Sequence, residues 1–258
     1  RQNATLREHA VGRFGDLLHA IGRDAAMVIY LDGAQNRRGA PNENFAREVM
    51  ELFTLGEGRY TEQDVKEAAR AFTGWSIDRD TGAYRFRPLL HDPGTKTVLG
   101  RTGAFDGDAV LDVILAQRET APFIVAKLWR EFVSPEPDPR EVQRIAQVFK
   151  GRDYDLEVAL RALLLSDAFW ASSSRGTLVK SPAELVVGTV RQLEIAGVPG
   201  VPLAVAAAGM GENLFAPPNV KGWPGGEAWI NSSTLLARKQ FLDRVARLDD
   251  APAAAMTA

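Results

Sequence analysis

The amino-acid sequence predicts a mainly α-helical fold, a single multi-helix globular domain with a small β-hairpin or irregular insertion near residues 75–103. Apolar residues recur at three-to-four spacing through most of the 258 residues, as they do on one face of a helix. Residues that commonly cap helices precede these periodic segments. We place the domain at residues 1–248, expect it to be a fragment of a longer protein, and expect a frayed tail at residues 249–258.

Composition agrees with a globular protein. Hydrophobic residues make up 45% and charged residues 25% of the chain, so burial can offset conformational entropy. The 31 Lys and Arg residues nearly balance 33 Asp and Glu residues. The sequence shows no basic face, so we do not expect a nucleic-acid partner. The absence of cysteine excludes disulfides, thiolate metal sites and cysteine nucleophiles. No apolar run approaches the ~18 residues of a transmembrane helix.

Helix boundaries follow from periodicity and capping. Residues 6–21 carry one apolar face and predict a first helix. Glycines close several helices, among them Gly56 and Gly74. The later helices are predicted to begin at polar residues, in chain order Asp24, Asn42, Thr61, Asp106, Thr120, Asp138, Asp155, Ser181 and near Ser233.

The insertion lacks helical periodicity. Ile77, Tyr84 and Phe86 flank a turn at residues 80–82, which predicts a small hairpin. We expect residues 96–100 to form an irregular return loop.

The helix predicted at residues 42–55 has two distinct faces at 100° per residue. Its polar arc favours either a solvated surface with ion pairs four residues apart or a cleft in which Glu48 and Glu51 act as metal ligands or acid–base groups. The packing arc contains Phe45, Ala46, Val49, Met50, Leu52 and Phe53, and the polar arc contains Asn44, Arg47, Glu48, Glu51 and Thr54.

A second group of candidate residues lies in the insertion. His91 and Asp92 precede Lys96 in a loop, where catalytic groups often lie. His91 either bonds a loop carbonyl or joins Glu48 and Glu51 around a divalent metal ion. Lys96, or Arg47, would stabilise developing charge. His9 and His19 are interpreted as helix-surface residues without a role.

Tryptophans beside glycines form the third group. Trp75, Trp223 and Trp229, with Asn231, either pin long loops to the core or form a platform for a carbohydrate or peptide. Trp129 and Trp170 lie in helical patterns and are predicted to be core residues.

These segments together resemble the bacterial domain of unknown function 1800 family. The resemblance spans essentially the whole chain, and Val49 departs from it where leucine is usual. It rests on residues 41–56 (PNENFAREVMELFTLG), 60–65 (YTEQDV) and 69–75 (ARAFTGW), followed in order by His91, Asp92, Lys96, Leu99, Gly100, Thr120, Ala121, Lys127, Phe132, Val133, residues 180–184 (KSPAE), Gly222, Trp223, Trp229 and Asn231.

The resemblance implies a portion of a longer protein with further helices on the N-terminal side. It also implies export to the periplasm or the extracellular space, and a partner among exported proteins encoded nearby. The family has no established reaction.

Three functions therefore stand as hypotheses. The first is an interaction or scaffold protein of the bacterial envelope, since no catalytic signature is present. The second is a hydrolase of envelope polymer, with or without a divalent metal ion, that would use Glu48, Glu51, His91, Asp92 and Lys96. The third is a carbohydrate- or peptide-binding module, with Asn44, Arg47 and the tryptophans as binding residues.

Overall fold

The computed structural model describes residues 1–247 and confirms the mainly α class with a small β insertion. The predicted tail at residues 249–258 lies outside the described residues. The chain divides into two compact units, the first of which is Arg1–Ser174, while the second begins at Arg175. The predicted boundaries of a single domain at residues 1–248 stay a prediction.

Unit 1 contains ten α-helices and two β-hairpins among its described residues. The helices are α1 (Gln2–Glu8), α2 (Phe14–Gly22), α3 (Ala25–Tyr30), α4 (Asn44–Glu48), α5 (Glu62–Ala71), α6 (Gly107–Leu115), α7 (Thr120–Phe132), α8 (Pro139–Gly151), α9 (Leu156–Leu164) and α10 (Asp167–Trp170). The strands are β1 (Trp75–Ile77), β2 (Tyr84–Phe86), β3 (Lys96–Val98) and β4 (Arg101–Gly103).

Predicted capping residues begin several of these helices. The Asp24 side chain accepts hydrogen bonds from the backbone N–H groups of Ala26 and Met27, and Thr61 and Asp64 form a capping box. Such bonds satisfy N–H groups that have no partner inside the helix. Local chemistry alone therefore sets these helix starts.

The first predicted helix is interrupted. Residues 6–21 do not form one helix, because α1 ends at Glu8 and α2 begins at Phe14. Between them the Phe14 N–H donates to the Tyr154 carbonyl at 2.8 Å, and the Gly12 carbonyl accepts from the Leu156 N–H at 2.9 Å. Backbone pairing with a distant segment replaces the intrahelical bonds there.

The helix predicted at residues 42–55 begins at Asn44 and changes its winding at Val49. Residues Val49–Thr54 form a π-helical turn, in which the Leu55 N–H bonds the Met50 carbonyl five residues back at 2.8 Å. The wider turn rotates Thr54 into the interior, where it is buried. The prediction that Thr54 belongs to the polar arc is wrong for this reason.

The insertion contains two hairpins rather than one. β1 pairs antiparallel with β2, as predicted, with Trp75 opposite Phe86. β3 pairs with β4, so residues 96–100 are not an irregular return loop. Leu99 and Gly100 both have positive φ values, 49° and 78°, as in the two-residue turns that fit the twist of a hairpin.

Unit 2 has three described helices, α11 (Pro182–Gln192), α12 (Gly200–Gly209) and α13 (Ser232–Ala246). Val186, Met210, Phe241 and Val245 form its hydrophobic cluster. An irregular segment links α12 to α13 and ends in a 3₁₀ turn at Gly226–Trp229.

Candidate functional site

Asp92 is an ionic anchor of the insertion in unit 1. The Arg70 Nε atom on α5 donates to Asp92 Oδ2 at 2.8 Å, and the Gly94 N–H donates to Oδ1 at 2.9 Å. The hydrogen bond from Arg70 is the main cause that lowers the pKa of Asp92 to about 2. Asp92 therefore stays ionised at neutral pH and ties the loop to α5.

Lys96 is a buried structural lysine. Its side chain is 1% exposed, and its Nζ atom donates to the carbonyls of Asp92, Gly94 and Phe105 at 2.5, 2.9 and 2.8 Å. Desolvation by burial lowers the pKa of Lys96. Three backbone acceptors use its three donors, and its contacts hold the loop together.

His91 bonds a carbonyl, which is one of the two alternatives that the sequence predicts. Its Nδ1 atom lies 3.0 Å from the Thr73 carbonyl oxygen, and its ring meets the Phe86 ring edge-on at 5.4 Å. The Asp92 N–H donates to the Thr73 hydroxyl at 2.8 Å. Thr73, which follows α5, therefore holds both His91 and Asp92.

The polar arc of the helix at residues 44–54 makes several ionic and hydrogen-bond contacts. Arg47 donates two bonds of 2.7 Å to Glu62 and one of 3.1 Å to Glu43. The Tyr60 hydroxyl donates to Glu51 at 2.5 Å, and burial together with this bond raises the pKa of Tyr60. The arc is a network of surface contacts in which Glu48 is half-buried.

Asn44 lies at the start of the same helix and is exposed. Its Nδ2 atom donates to Asp32 Oδ2 at 3.0 Å. Asn44 therefore joins the helix to the segment after α3.

The predicted metal ligands do not form a metal-binding group. Within residues 1–247, no cluster of three or more His, Asp or Glu side chains is arranged to hold a metal ion. Glu48 and Glu51 lie on the helix of residues 44–54, whereas His91 lies in the insertion. The catalytic role predicted for Glu48, Glu51, His91, Asp92 and Lys96 stays a prediction.

Trp75 is a core residue. It is 3% exposed, and its ring lies 5.7, 5.0 and 5.4 Å from those of Phe45, Phe72 and Tyr84. The contacts with Phe72 and Tyr84 are edge-on, a packing that adds to the burial energy of aromatic rings. Trp75 thus pins the insertion to the core and offers no platform to a ligand.

The other tryptophans differ in burial. Trp129 is buried as predicted, but Trp170 is 63% exposed, so its assignment to the core is wrong. The short helix α10 leaves the Trp170 ring outside, with Nε1 bonded to the Leu164 carbonyl at 2.9 Å. Trp223, Trp229 and Asn231 line one cavity of about 240 Å³ in unit 2, so these three predicted residues are brought together.

Unit 1 also contains an apolar groove of about 550 Å³. It lies on the packing side of the helix at residues 44–54 and is walled by α1, α2, α3, α7 and α9. We call it the apolar groove. Its lining includes Leu6, Phe14, Phe45, Leu52, Phe132 and Leu160, and its only charged lining residues are Lys127 and Glu131.

Lys127 lines the groove four residues before Glu131 on α7. Its Nζ atom lies 5.0 Å from the centre of the Phe123 ring, and we find no ion pair for it among residues 1–247. Desolvation, with a smaller contribution from the charge of Arg130, lowers the pKa of Lys127. An anion placed here would stabilise the ammonium.

Sequence reasoning missed the groove and also His19. Both ring nitrogens of His19 lie close to carboxylates of α6. His19 also lines a cavity of about 420 Å³ with Arg13, Lys150 and Tyr154. Asp108 and Asp112, four residues apart on one face of α6, could have indicated a site for a cation. No pattern in the nearby sequence connects them to His19.

In the described part of the chain, every helix is too short or too polar to span a membrane. A search of curated proteins and a search of solved structures each found no match. A family model described as a protein of unknown function (DUF1800) matches residues 1–258. The chain therefore belongs to the DUF1800 family, as its motifs predict.

Proposed function

We propose that the protein is an interaction protein of the bacterial envelope and that its apolar groove binds an amphipathic helix of a partner. The observation that carries this proposal is an open, almost wholly apolar groove with one ammonium group, that of Lys127, in its lining. Large apolar concavities on a protein surface mark binding sites.

The shape of the groove favours a helix. Its walls are themselves helices, and an amphipathic helix lays a stripe of side chains at positions i, i+3, i+4 and i+7 into such a groove. Leu6 and Phe132 remain exposed beside it. Leu6 and Phe132 are 45% and 42% exposed, so burying the rest of each would stabilise a complex by about 1 kcal/mol, roughly half the value for a fully exposed side chain of this size.

The charge of the groove selects the partner further. Lys127 is the one cation in the lining and Glu131 the one anion, and the ammonium of Lys127 is partly desolvated. A carboxylate beside the apolar stripe of the partner would form a charge-assisted hydrogen bond with it. The proposed partner is therefore an amphipathic helix with an acidic residue on the edge of its apolar face.

Family membership supports the cellular location and the kind of partner in this proposal. The resemblance implies a bacterial, exported protein in the periplasm or outside the cell, with a partner among exported proteins encoded nearby. The hydrolase hypothesis draws less support, because Asp92, Lys96 and His91 are engaged by Arg70, three carbonyls and Thr73.

The test uses a pool of fluorescent helical peptides of about 18 residues, varied among Leu, Ile, Phe and Met on the apolar stripe, with Glu or Gln on its edge. Fluorescence anisotropy measures binding to the whole chain. We expect micromolar binding of some Glu peptides, weakened at least fivefold by Leu6→Ser or Phe132→Ser. Leu89→Ser is the matched control, since Leu89 is 94% exposed and lies outside the groove.

The charge is tested by a double-mutant cycle. Lys127→Gln should weaken the Glu peptides but leave the matching Gln peptides unchanged, while Lys66→Gln on α5 should change neither. Absence of saturable binding, or binding that Leu6→Ser and Phe132→Ser do not alter, would overturn the proposal. Self-association that the same two variants abolish would assign the groove to a second copy of the chain instead.

A further inference from the structure

Unit 2 contains a small cavity with an unusual lining. Its volume is about 240 Å³, below the ~300 Å³ at which pockets for drug-sized ligands begin. No charged residue lines it. Two indoles, two carboxamides and a hydroxyl supply its aromatic and polar surface, from Trp223, Trp229, Asn213, Asn231 and Thr234. A ligand for this cavity should be neutral, polar and about the size of one ring.

The cavity is built by the segment between α12 and α13. Gly211, with a φ of 104°, turns the chain at the end of α12 so that a Cβ atom there would lie 3.9 Å from the Trp229 ring. The Thr234 hydroxyl donates to the Trp229 carbonyl at 2.8 Å. These contacts fix Trp229 as the buried wall and leave Trp223 half-buried.

The carboxamide of Asn231 is oriented by its role as the capping residue of α13. Its Oδ1 atom accepts from the N–H groups of Ser233 and Thr234 at 3.0 and 2.9 Å. We find no partner for its Nδ2 group among residues 1–247, nor for the side chain of Asn213. Two carboxamides therefore offer hydrogen bonds to a ligand.

An exposed aromatic ring stands between two lining residues. Phe215 is 92% exposed and has a φ of 64°, a conformation that bulky residues rarely adopt. Asn213 and Ala216, on either side of it in the chain, both line the cavity. Residues held in such conformations cluster at ligand sites.

We propose that this cavity binds one pyranose ring of a neutral carbohydrate. The apolar face of a sugar ring stacks on an indole, and the free carboxamide groups match its hydroxyls. The uncharged lining disfavours sugar acids and sugar phosphates, because an anion would be desolvated there without a cation. Phe215 would contact the next sugar of a chain. The lining of this cavity shares no residue with that of the apolar groove, and the proposal does not depend on the groove.

The test is saturation-transfer-difference NMR and titration calorimetry of the whole chain with methyl glycosides of glucose, mannose and N-acetylglucosamine, and with the disaccharides of the same sugars. We expect millimolar binding of at least one glycoside. Trp223→Ala and Asn213→Ala should each weaken it at least fivefold. Trp170→Ala is the matched control, because Trp170 is an exposed tryptophan outside the cavity.

Phe215→Ser is a second test in case Trp223→Ala fails to fold. Because Phe215 is exposed, its replacement should leave the fold intact. It should weaken disaccharide binding at least threefold and leave the monosaccharide unchanged. No saturation transfer to any of the glycosides would overturn the proposal. Equal binding by wild type and Asn213→Ala would overturn it too, as would binding of a proline-rich peptide at Trp223 without binding of any sugar.

Discussion

His19 Nδ1 on α2 lies 3.1 Å from Asp108 Oδ1 on α6. The other ring nitrogen, Nε2, lies 3.0 Å from Asp112 Oδ1, one turn further along α6. Carboxylates only accept hydrogen bonds, so the arrangement fits an imidazolium that donates from both nitrogens. The hydrogen bond with Asp108 is the main cause that raises the pKa of His19. Arg23, which follows the last residue of α2, also binds Asp108, so two cations at this end of α2 hold α6.

His19→Gln tests this bridge through its pH dependence. A raised pKa in the folded state gives stabilisation that is complete below the ordinary value of 6.5 and disappears as pH rises through the folded pKa. At pH 5.5 we expect the variant to lose about 1 kcal/mol of unfolding free energy, and less at pH 9. Urea unfolding at each pH measures it, with His9→Gln as control. A difference that is constant with pH would contradict an imidazolium bridge.

Gly107 at the start of α6 leaves room for Trp75. A Cβ atom at Gly107 would lie 2.5 Å from Trp75 Cε2 and 2.7 Å from Phe72 Cδ1. We therefore expect Gly107→Ala to destabilise unit 1 by about 2–3 kcal/mol through overpacking, seen as a lower urea midpoint.

Gly151→Ala is the matched control for Gly107→Ala. Gly151 ends α8 with nothing near its Cβ position. Alanine there should be neutral or stabilise by up to about 0.8 kcal/mol. Similar losses for the two variants would argue against close packing of Gly107 on Trp75.

Helix starts could be predicted because they depend on neighbours in the chain. Asp106, Asp138 and Ser181 accept hydrogen bonds from backbone N–H groups two or three residues further on. The amphipathic arc of the helix at residues 44–54 was equally local, and Phe45 and Val49 are buried as predicted. A period of 3.6 residues places Thr54 on the polar arc of this helix. The π turn at Val49–Thr54 does not follow that period, so Thr54 lies on the buried side instead.

The candidate sites could not be predicted in the same way, because they are formed by residues far apart in the sequence. His19 lies 89 residues from Asp108 and 93 from Asp112 in the sequence. The lining of the apolar groove comes from six helical segments, and periodicity shows that a segment has an apolar face without showing that the faces leave a gap. Trp223, Trp229 and Asn231 could be predicted as a group because one short irregular segment holds all three.

Lys96→Met tests the structural role of the buried lysine. The substitution leaves the carbonyls of Asp92, Gly94 and Phe105 without their donor. We expect a loss of about 3 kcal/mol in unfolding free energy and faster hydrogen exchange in residues 92–105. Lys66→Met, at an exposed position of α5, should change stability by less than ~0.5 kcal/mol. If Lys96→Met kept full stability, the charge-stabilising role predicted from the sequence would regain support.

Asp92→Asn distinguishes between two roles of Asp92, an ionic anchor of the loop and a catalytic acid. The pKa of Asp92 is lowered from 3.8 to about 2, so its stabilisation is complete above about pH 4 and is lost as pH falls through about 2. At pH 7 we expect Asp92→Asn to lower the unfolding free energy by about 2 kcal/mol, and Asp80→Asn, at an exposed turn, to have little effect. In urea titrations from pH 7 to pH 2.5 the wild type should approach the variant. An Asp92→Asn protein as stable as wild type at pH 7 would contradict the anchor and favour a role for the carboxylate in chemistry.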